Sequence, residues 1–148
     1  MEPAREAVTE TMSPLECVSL LGRVPVGRVG VSIGALPVVL PVNFALFDRS
    51  VVFRTVPGTK LDAAVAGAVV AFEADGYDRT GGAGWSVLVQ GVASEVTDTA
   101  ELSALRALPL EAWGVDGDAD RFVRVAMTLI SGRRFRRGPT GQLRAHAG

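Results

Sequence analysis

The sequence predicts a single, mainly β domain, a small barrel of antiparallel strands with few helices. Short β-branched segments recur at even spacing, turn residues separate them, and only a few stretches carry a helical pattern. At 148 residues and 48% hydrophobic content, the chain can bury one core without disulfides. We expect the domain over residues 13–137, between a loose N-terminal arm (1–12) and a flexible C-terminal tail (138–148).

The elements follow from local signals. A first helix should begin after Ser13, with Pro14 in its first turn and Glu16 completing a capping box, and should end at Gly22. A short helix is expected from Thr59 to Gly67, and two helical pieces, TAELSALRAL and LEAWG, later in the chain. The six predicted strands are VGRVGVS, VVLPVNFALF, SVVFRT, AVVAFEAD, WSVLVQGVASEV and RFVRVAMTLI, with a bulge or bend at Gly91 in the fifth.

Composition excludes several classes of partner. The formal net charge of −1 provides no field that would recruit nucleic acid or a membrane surface. The single cysteine, Cys17, excludes a disulfide framework or a cysteine-based zinc site within one chain and fits a reducing compartment. No apolar run approaches the roughly 20 residues of a membrane helix, and no signal peptide pattern is present. We therefore expect a cytoplasmic protein.

Histidine-based and calcium-based sites are also excluded. The only histidine, His146, lies in the predicted tail, so neither a Ser/His/Asp triad nor a histidine metal site can form in the domain. The segment Asp116–Asp120 resembles a calcium loop, but Arg121 replaces the glycine at its sixth position and Met127 the acid at its twelfth. We interpret it as a solvated turn and expect no metal.

One run, FRTVPGTK, does not resemble ordinary scaffold. Of the fifteen basic residues in the chain, Lys60 is the only lysine. Arg54 and Thr55 end a predicted strand, and Thr59 caps the helix that starts beside Lys60, an arrangement that favours an anion. The simpler interpretation is that Thr59 only caps, that Asp62 completes a capping box and that Lys60 is solvated.

The order of the segments VGRVGVS, LPVVLPVNFAL, VVFRTVPGTKLDAA, VAFEAD, GWSVLVQGVASEV and ISGRR resembles the pyridoxamine 5'-phosphate oxidase-like flavin proteins, and more specifically their nitroimidazole-reductase-type branch. The resemblance runs from about Ser13 to Arg134 and implies a six-stranded split β-barrel that forms a homodimer with FMN at its interface. It implies that Arg54, Thr55, Thr59 and Lys60 hold the flavin phosphate. It also implies that Asn43, Phe44, Trp85 and Ser86 line the rest of the cofactor.

Trp85 and a cluster of arginines near the C-terminus each have more than one interpretation. Trp85 is equally well explained as a core aromatic residue, because indoles are commonly buried. The cluster Arg133, Arg134, Arg136 and Arg137 fits a solvated tail, a cytosolic anion patch or an arm that reaches the partner's flavin. We favour the solvated tail, because a run of like charge without apolar residues at regular spacing usually stays in water.

The leading functional hypothesis is an FMN-dependent reductase or oxidase of a small planar substrate, with a nicotinamide cofactor as one candidate hydride donor. Oxidation of pyridoxamine phosphate would need a second phosphate pocket, and apart from the arginines near the C-terminus the sequence has no second strand-end cluster for it. Nitroreduction is disfavoured because the flavin-proximal histidine implied by the resemblance has no counterpart. The alternative is a flavin carrier or sensor, or a protein that binds deazaflavin F420 or haem instead. Haem is disfavoured because the barrel offers no axial histidine.

Overall fold

The computed structural model of the chain describes residues 8–110 and 121–137. In chain order its elements are β1 Val8–Thr11, α1 Pro14–Leu21, β2 Val26–Ile33, β3 Leu36–Asn43, β4 Ala45–Phe47, β5 Ser50–Thr55, α2 Lys60–Val65, β6 Val69–Asp78, β7 Ala83–Glu95, α3 Thr99–Arg106, β8 Arg121–Ala126 and β9 Leu129–Arg136. The predictions for LEAWG, Asp116–Asp120, His146 and the tail lie outside the described residues.

The strands form an antiparallel sheet in the order β3-β2-β6-β7-β8-β5-β4, with β9 paired to β7 and β1 paired to β9. Strands β3 and β4 stand at opposite ends of this order, yet only Phe44 separates them in the chain. The two ends of the sheet must therefore approach each other, and β3 does contact β5. The sheet thus curls into a barrel, which confirms the predicted mainly β, antiparallel class.

The structure has nine described strands where six were predicted, and the differences are local. The predicted second strand is interrupted at Phe44, where the chain passes from one edge of the sheet to the other. The predicted sixth strand is divided at Met127 and Thr128 into β8 and the start of β9. Such breaks leave the alternation of side chains almost unchanged, so the sequence pattern does not reveal them.

Two segments predicted to be irregular are strands. Val8–Thr11 was expected in a loose arm, but it pairs with β9, and Arg136 Nη2 lies 3.3 Å from Glu10 Oε1. Three residues of the arginine cluster, Arg133, Arg134 and Arg136, lie in β9 rather than in a tail. Their side chains remain exposed, as a solvated interpretation requires. The paired residues of β1 and β9 are more than 120 positions apart in the chain, and no local sequence pattern encodes such a pairing.

Two apolar clusters lie on the two sides of β5. Val51 and Phe53 face the main core inside the barrel, and both are fully buried. Val52 points the other way, into a smaller cluster with Leu105 of α3 and Phe122 of β8. An ion pair between Arg124 of β8 and Glu101 of α3 joins the same elements. Strand β5 is therefore covered on both faces and presents a rigid end to the loop that follows it.

Strand β7 changes partners along its length. Residues 83–90 pair with β9, and residues 93–95 pair with β8, while the other edge of β7 pairs with β6 throughout residues 83–92. Gly91 lies at the change, where a Cβ atom would collide with the carbonyl oxygen of Ala126. The predicted bend at Gly91 is therefore where the strand turns from one part of the barrel to the other.

We expect Gly91→Ala to lower the free energy of unfolding by about 1–3 kcal/mol, because the backbone of β7 or β8 must move to admit the methyl group. Gly30→Ala is the matched control, since its Cβ would meet the nearest atom, Ala71 Cβ, at an ordinary 3.6 Å. The control should stay within about 0.5 kcal/mol of the wild type. Urea denaturation of the three proteins measures both effects. Equal losses of stability in the two variants would contradict the requirement for glycine at position 91.

The outer face of the barrel is the side of β3, β2, β6, β7 and β9 that points away from the main core. Cross-strand register places Val39, Gly30, Ala71, Gln90 and Leu129 in one row across it. Several of its apolar side chains are exposed, namely Val39, Val69, Val92 and Leu129. Within the described residues, no helix is long and apolar enough to cross a membrane.

A charged group lies at the centre of this outer face. Arg28 Nη1 is 3.0 Å from Asp75 Oδ2 and 3.4 Å from Glu73 Oε2. Glu73 Oε1 is buried and has no hydrogen-bond partner among the described residues. Burial, reinforced by the neighbouring Asp75, raises the pKa of Glu73 from 4.5 to about 7 against the opposing attraction of Arg28.

This raised pKa predicts a pH-dependent stability that Glu73→Gln should remove. The folded chain holds the Glu73 proton more tightly than the unfolded chain, so the stabilising contribution is complete below about pH 4.5 and is lost as the pH rises through about 7. From pH 5 to 8 the wild type should lose on the order of 1 kcal/mol relative to the glutamine variant, a value reduced for solvent screening. Parallel stability curves by urea denaturation would contradict the assignment.

Candidate functional site

The connection between β5 and α2, residues 56–59, carries the predicted anion site. Gly58 has a φ of +84°, the left-handed conformation that the sequence analysis expected of it. The Thr59 hydroxyl accepts a hydrogen bond from the Asp62 N–H at 3.2 Å and donates one to the Val56 carbonyl at 2.9 Å. Thr59 is therefore the N-cap of α2, as predicted, and its hydroxyl proton is committed to the turn.

Asp62 is the buried carboxylate of this region, with 6% of the residue exposed. Its Oδ1 accepts a hydrogen bond from the Thr55 hydroxyl at 2.9 Å. Its Oδ2 accepts one from the Gly58 N–H at 3.1 Å and one from Arg121 Nη1 at 2.5 Å. Burial alone would raise the pKa of Asp62, but these hydrogen bonds and the charge of Arg121 outweigh it, so the pKa lies below its ordinary value.

Arg54 and Thr55 lie on opposite faces of β5, since side chains alternate along a strand. Thr55 points toward Asp62. Arg54 points toward the smaller apolar cluster, where its guanidinium lies 5.1 Å from the centroid of the Phe122 ring and Nη1 donates to the Leu110 carbonyl at 2.9 Å. Of the two cations predicted to hold the phosphate, Arg54 is therefore anchored by its neighbours.

Lys60 is different. Its side chain is exposed at the start of α2 and makes no hydrogen bond or ion pair with the residues that the structure describes. An exposed ammonium of this kind can bind an incoming anion without breaking a contact to the described residues. This arrangement suits a phosphate that approaches from solvent or from a neighbouring surface.

The other four predicted cofactor residues divide between faces. Asn43 ends β3 on the outer face, and Ser86 lies on the outer face of β7. Phe44 is buried, with its ring edge-on to Phe72 at 4.7 Å between centroids. Trp85 lies on the opposite side of β7 from Ser86 and partly packs against the main core, which agrees with the alternative interpretation of this indole.

Two clefts contain these aromatic residues. A cleft of about 450 Å³ is lined by Phe44, by residues 21–25 and by Leu108, Pro109 and Leu110 among others. A second, of about 310 Å³, is lined by Gly76, Tyr77, Trp85 and Arg134 among others. Neither cleft includes Lys60 or Thr59. The described part of one chain therefore does not gather all eight predicted residues into one pocket, and their common role stays a prediction.

Two features, one beside the β5–α2 connection and one on the outer face, were not predicted from the sequence. Arg121 was noted only as a departure from a calcium loop, yet it forms the ion pair with Asp62, 59 residues away in the chain. Glu73 and Asp75 are two residues apart on a strand, so both carboxylates lie on one face. Their proximity could have been predicted from this spacing. Among the described residues there is no group of three or more His, Cys, Asp or Glu residues that could hold a metal.

Comparisons with known proteins agree with this fold. The family model for pyridoxamine 5'-phosphate oxidase matches residues 13–134. An uncharacterized protein of Mycobacterium tuberculosis is 37% identical over 139 residues, which span 90% of this chain and 89% of that protein.

Two solved structures are similar over nearly their whole length. A FAD-binding protein from Mycobacterium smegmatis is 40% identical, with a TM-score of 0.74, over 87% of this chain and 98% of that one. A FAD-binding protein from Mesorhizobium loti is 27% identical, with a TM-score of 0.70, over 87% of this chain and 98% of that one. Since the family match and these structures each cover most of the chain, the protein belongs to the pyridoxamine 5'-phosphate oxidase family of split β-barrels.

Proposed function

We propose that the chain binds a flavin nucleotide and uses it to transfer electrons to or from a small planar substrate. The observation that carries this proposal is the FAD-binding protein from M. smegmatis, which is 40% identical and aligns over 98% of its length. The M. loti protein, also FAD-binding, supports the same cofactor class. The chain's own contribution is to bind the flavin, orient its ring and exclude water, because the flavin itself accepts and donates the electrons.

In this proposal the phosphate of the nucleotide lies at the β5–α2 connection, between the end of β5 and the start of α2. Lys60 offers an exposed ammonium. Arg54 adds positive charge near the end of β5, although its guanidinium faces the smaller apolar cluster, on the other side of the strand from Thr55. The negative charge of Asp62 would oppose a phosphate, but Arg121 pairs with it at 2.5 Å. In this proposal Thr55 and Thr59 complete the phosphate-binding connection, with Thr59 fixing the turn from which Lys60 projects.

The ring and ribityl chain of the flavin are assigned to the outer face. Asn43 and Ser86 lie there. Phe44 is buried and Trp85 lies on the opposite side of β7, so this placement uses two of the four predicted residues. Asn43 and Ser86 are on β3 and β7, which are three strand spacings apart, or about 14 Å. A flavin that spans this distance would be sandwiched by a second surface, and we propose that a second copy of the chain provides it.

Three nucleotides are candidates for the cofactor: FMN, FAD and a deazaflavin. FMN was the cofactor inferred from the sequence, and FAD is the cofactor of the two similar structures. A deazaflavin also carries a phosphate and would use the same cation. The absorption spectrum of the purified protein and the mass of the compound released on denaturation distinguish all three. Stoichiometric flavin without turnover by any nicotinamide donor would instead favour a carrier or sensor.

Lys60→Ala should weaken FMN and FAD about ten- to 150-fold, because one charge-assisted hydrogen bond of about 1.5–3 kcal/mol is lost. Riboflavin, which has no phosphate, should bind the variant as it binds the wild type. Lys60→Arg should fall between the two, since it keeps the charge but changes its reach and shape. Isothermal titration with the three ligands measures the effect.

The matched control for this experiment is Arg106→Ala, which removes an exposed cation at the end of α3. It should leave all three affinities unchanged. Equal affinity of the wild type for FMN and riboflavin would overturn the phosphate site. Unchanged FMN affinity in Lys60→Ala would mean that Lys60 is a solvated side chain.

The proposed homodimer is supported by the exposed apolar side chains that surround the charged group of the outer face. Val69 is 75% exposed and Val39 is 68% exposed, and both lie on the face that carries Asn43 and Ser86. Exposed apolar patches of this kind usually mark contact surfaces. A pairing of two copies through this face would bury these side chains and cover the flavin together.

Val69→Asp should convert the dimer to a monomer and weaken flavin binding at the same time, because a carboxylate cannot be buried unpaired in the interface. Leu15→Asp is the control, since Leu15 is 83% exposed but lies on α1, away from the outer face. Light scattering with and without flavin gives the masses. A wild-type monomer that holds stoichiometric flavin would contradict the dimer.

A further inference from the structure

Asp62 connects three separate parts of the chain around the proposed phosphate site. Through Thr55 it reaches the last residue of β5, through Gly58 the apex of the following turn, and through Arg121 the first residue of β8. Its own N–H is bonded to Thr59. All four bonds are buried or partly buried, whereas the side chain of Lys60 is exposed.

These bonds change what the turn can offer a ligand. The Thr55 hydroxyl and the Gly58 N–H, two donors that a phosphate could have used, are directed at Asp62 instead. The turn therefore has its shape before any anion arrives. A preformed turn costs less conformational entropy on binding than one that the ligand must order.

We propose that Asp62 is a positioning residue for the flavin phosphate: it holds the β5–α2 turn against β8 so that Lys60 points at the ligand, and Thr55 acts through it rather than on the phosphate. This inference rests on the proposed flavin function. Asp62 is itself negatively charged, yet in this role it promotes the binding of a negatively charged phosphate. Removing its charge should therefore weaken FMN binding, although electrostatic repulsion alone would predict the opposite.

Charge and geometry predict opposite outcomes for Asp62→Asn. If Asp62 acted on the ligand only through its charge, removing that charge would strengthen the binding of a phosphate dianion. If Asp62 positions the turn, the neutral asparagine weakens the hydrogen bonds to Gly58 and Arg121, because the acceptor has lost its charge. The Thr55 hydroxyl must also turn round to accept from the asparagine N–H₂ group, and the turn loosens. The affinity for FMN should then fall.

The experiment measures FMN and riboflavin affinities by isothermal titration for the wild type, Asp62→Asn, Lys60→Ala and Glu101→Gln. Glu101→Gln is the matched control, because it removes an ion pair to Arg124 on the same strand, β8, without touching the turn. We expect FMN to bind Asp62→Asn at least tenfold more weakly, riboflavin to change less than twofold, and Glu101→Gln to match the wild type with both ligands.

A readout without ligand separates positioning from general stability. In the wild type the Gly58 amide proton is bonded to Asp62, and its hydrogen exchange should accelerate in Asp62→Asn more than the exchange of β5 amides does. If Asp62→Asn does not fold, Arg121→Lys takes its place, because it keeps the charge but loses the guanidinium that reaches both Asp62 and Glu95. The same loss of FMN affinity is expected.

The outcomes are distinguishable. If Lys60→Ala weakens FMN while Asp62→Asn leaves it unchanged or tighter, the positioning role is wrong and the proposed phosphate site stands. An equal loss of FMN and riboflavin affinity in Asp62→Asn would reduce Asp62 to a general structural residue and also overturn the inference. Equal binding of FMN and riboflavin by the wild type would overturn the phosphate site and the inference with it.

Discussion

The fold depends on one strand that serves two partners along the same edge. β7 is hydrogen-bonded to β6 on one side, and on the other it leaves β9 for β8 at Gly91. The exchange is feasible because Gly91 has no side chain to collide with the carbonyl of Ala126. Through β8 the sheet continues to β5, and it is at the end of β5 that the candidate site begins. The position of the site is thus set by a backbone contact far from it.

Burial of β5 on both faces adds rigidity to that position. Phe53 belongs to the core of the barrel and Val52 to the smaller cluster under α3, so neither face of the strand is free to shift toward solvent. Phe122, in the smaller cluster, also supports the Arg54 guanidinium. The turn after Thr55 therefore emerges from a strand whose direction is fixed, and only the short connection to α2 remains for Asp62 to organise.

Local chemistry explains which parts of the structure the sequence predicts. The cap of α1 at Ser13, the positive φ of Gly58 and the N-cap at Thr59 depend on residues within four positions of each other, and all three were predicted. The pairing of β1 with β9 and the ion pair between Asp62 and Arg121 join distant segments, and no periodicity encodes them. The spacing of the strands predicted a small barrel and the family resemblance a split one, but neither predicted the partners of Asp62.

The residues of the candidate site were also predicted only in part, because a sequence motif does not show which face of a strand each side chain occupies. Adjacent residues in a strand share a sequence motif but not a face, so Trp85 and Ser86, read together from the sequence, separate in the structure. A motif read from the sequence can locate a binding region, yet the assignment of each side chain to one surface needs the register. Here the register places Ser86 with Asn43 on the outer face and leaves Trp85 against the core.

The isolation of Lys60 has a consequence for chemical modification of the protein. Because the other fourteen basic residues are arginines, the chain has a single ε-amine, and that amine is exposed. Acylating or reductively alkylating reagents will therefore label one side chain, besides the α-amine of the N-terminus. Apart from the label on the α-amine, a fluorophore or a spin label attached in this way reports from the start of α2, with no cysteine to introduce and no competing lysine to remove.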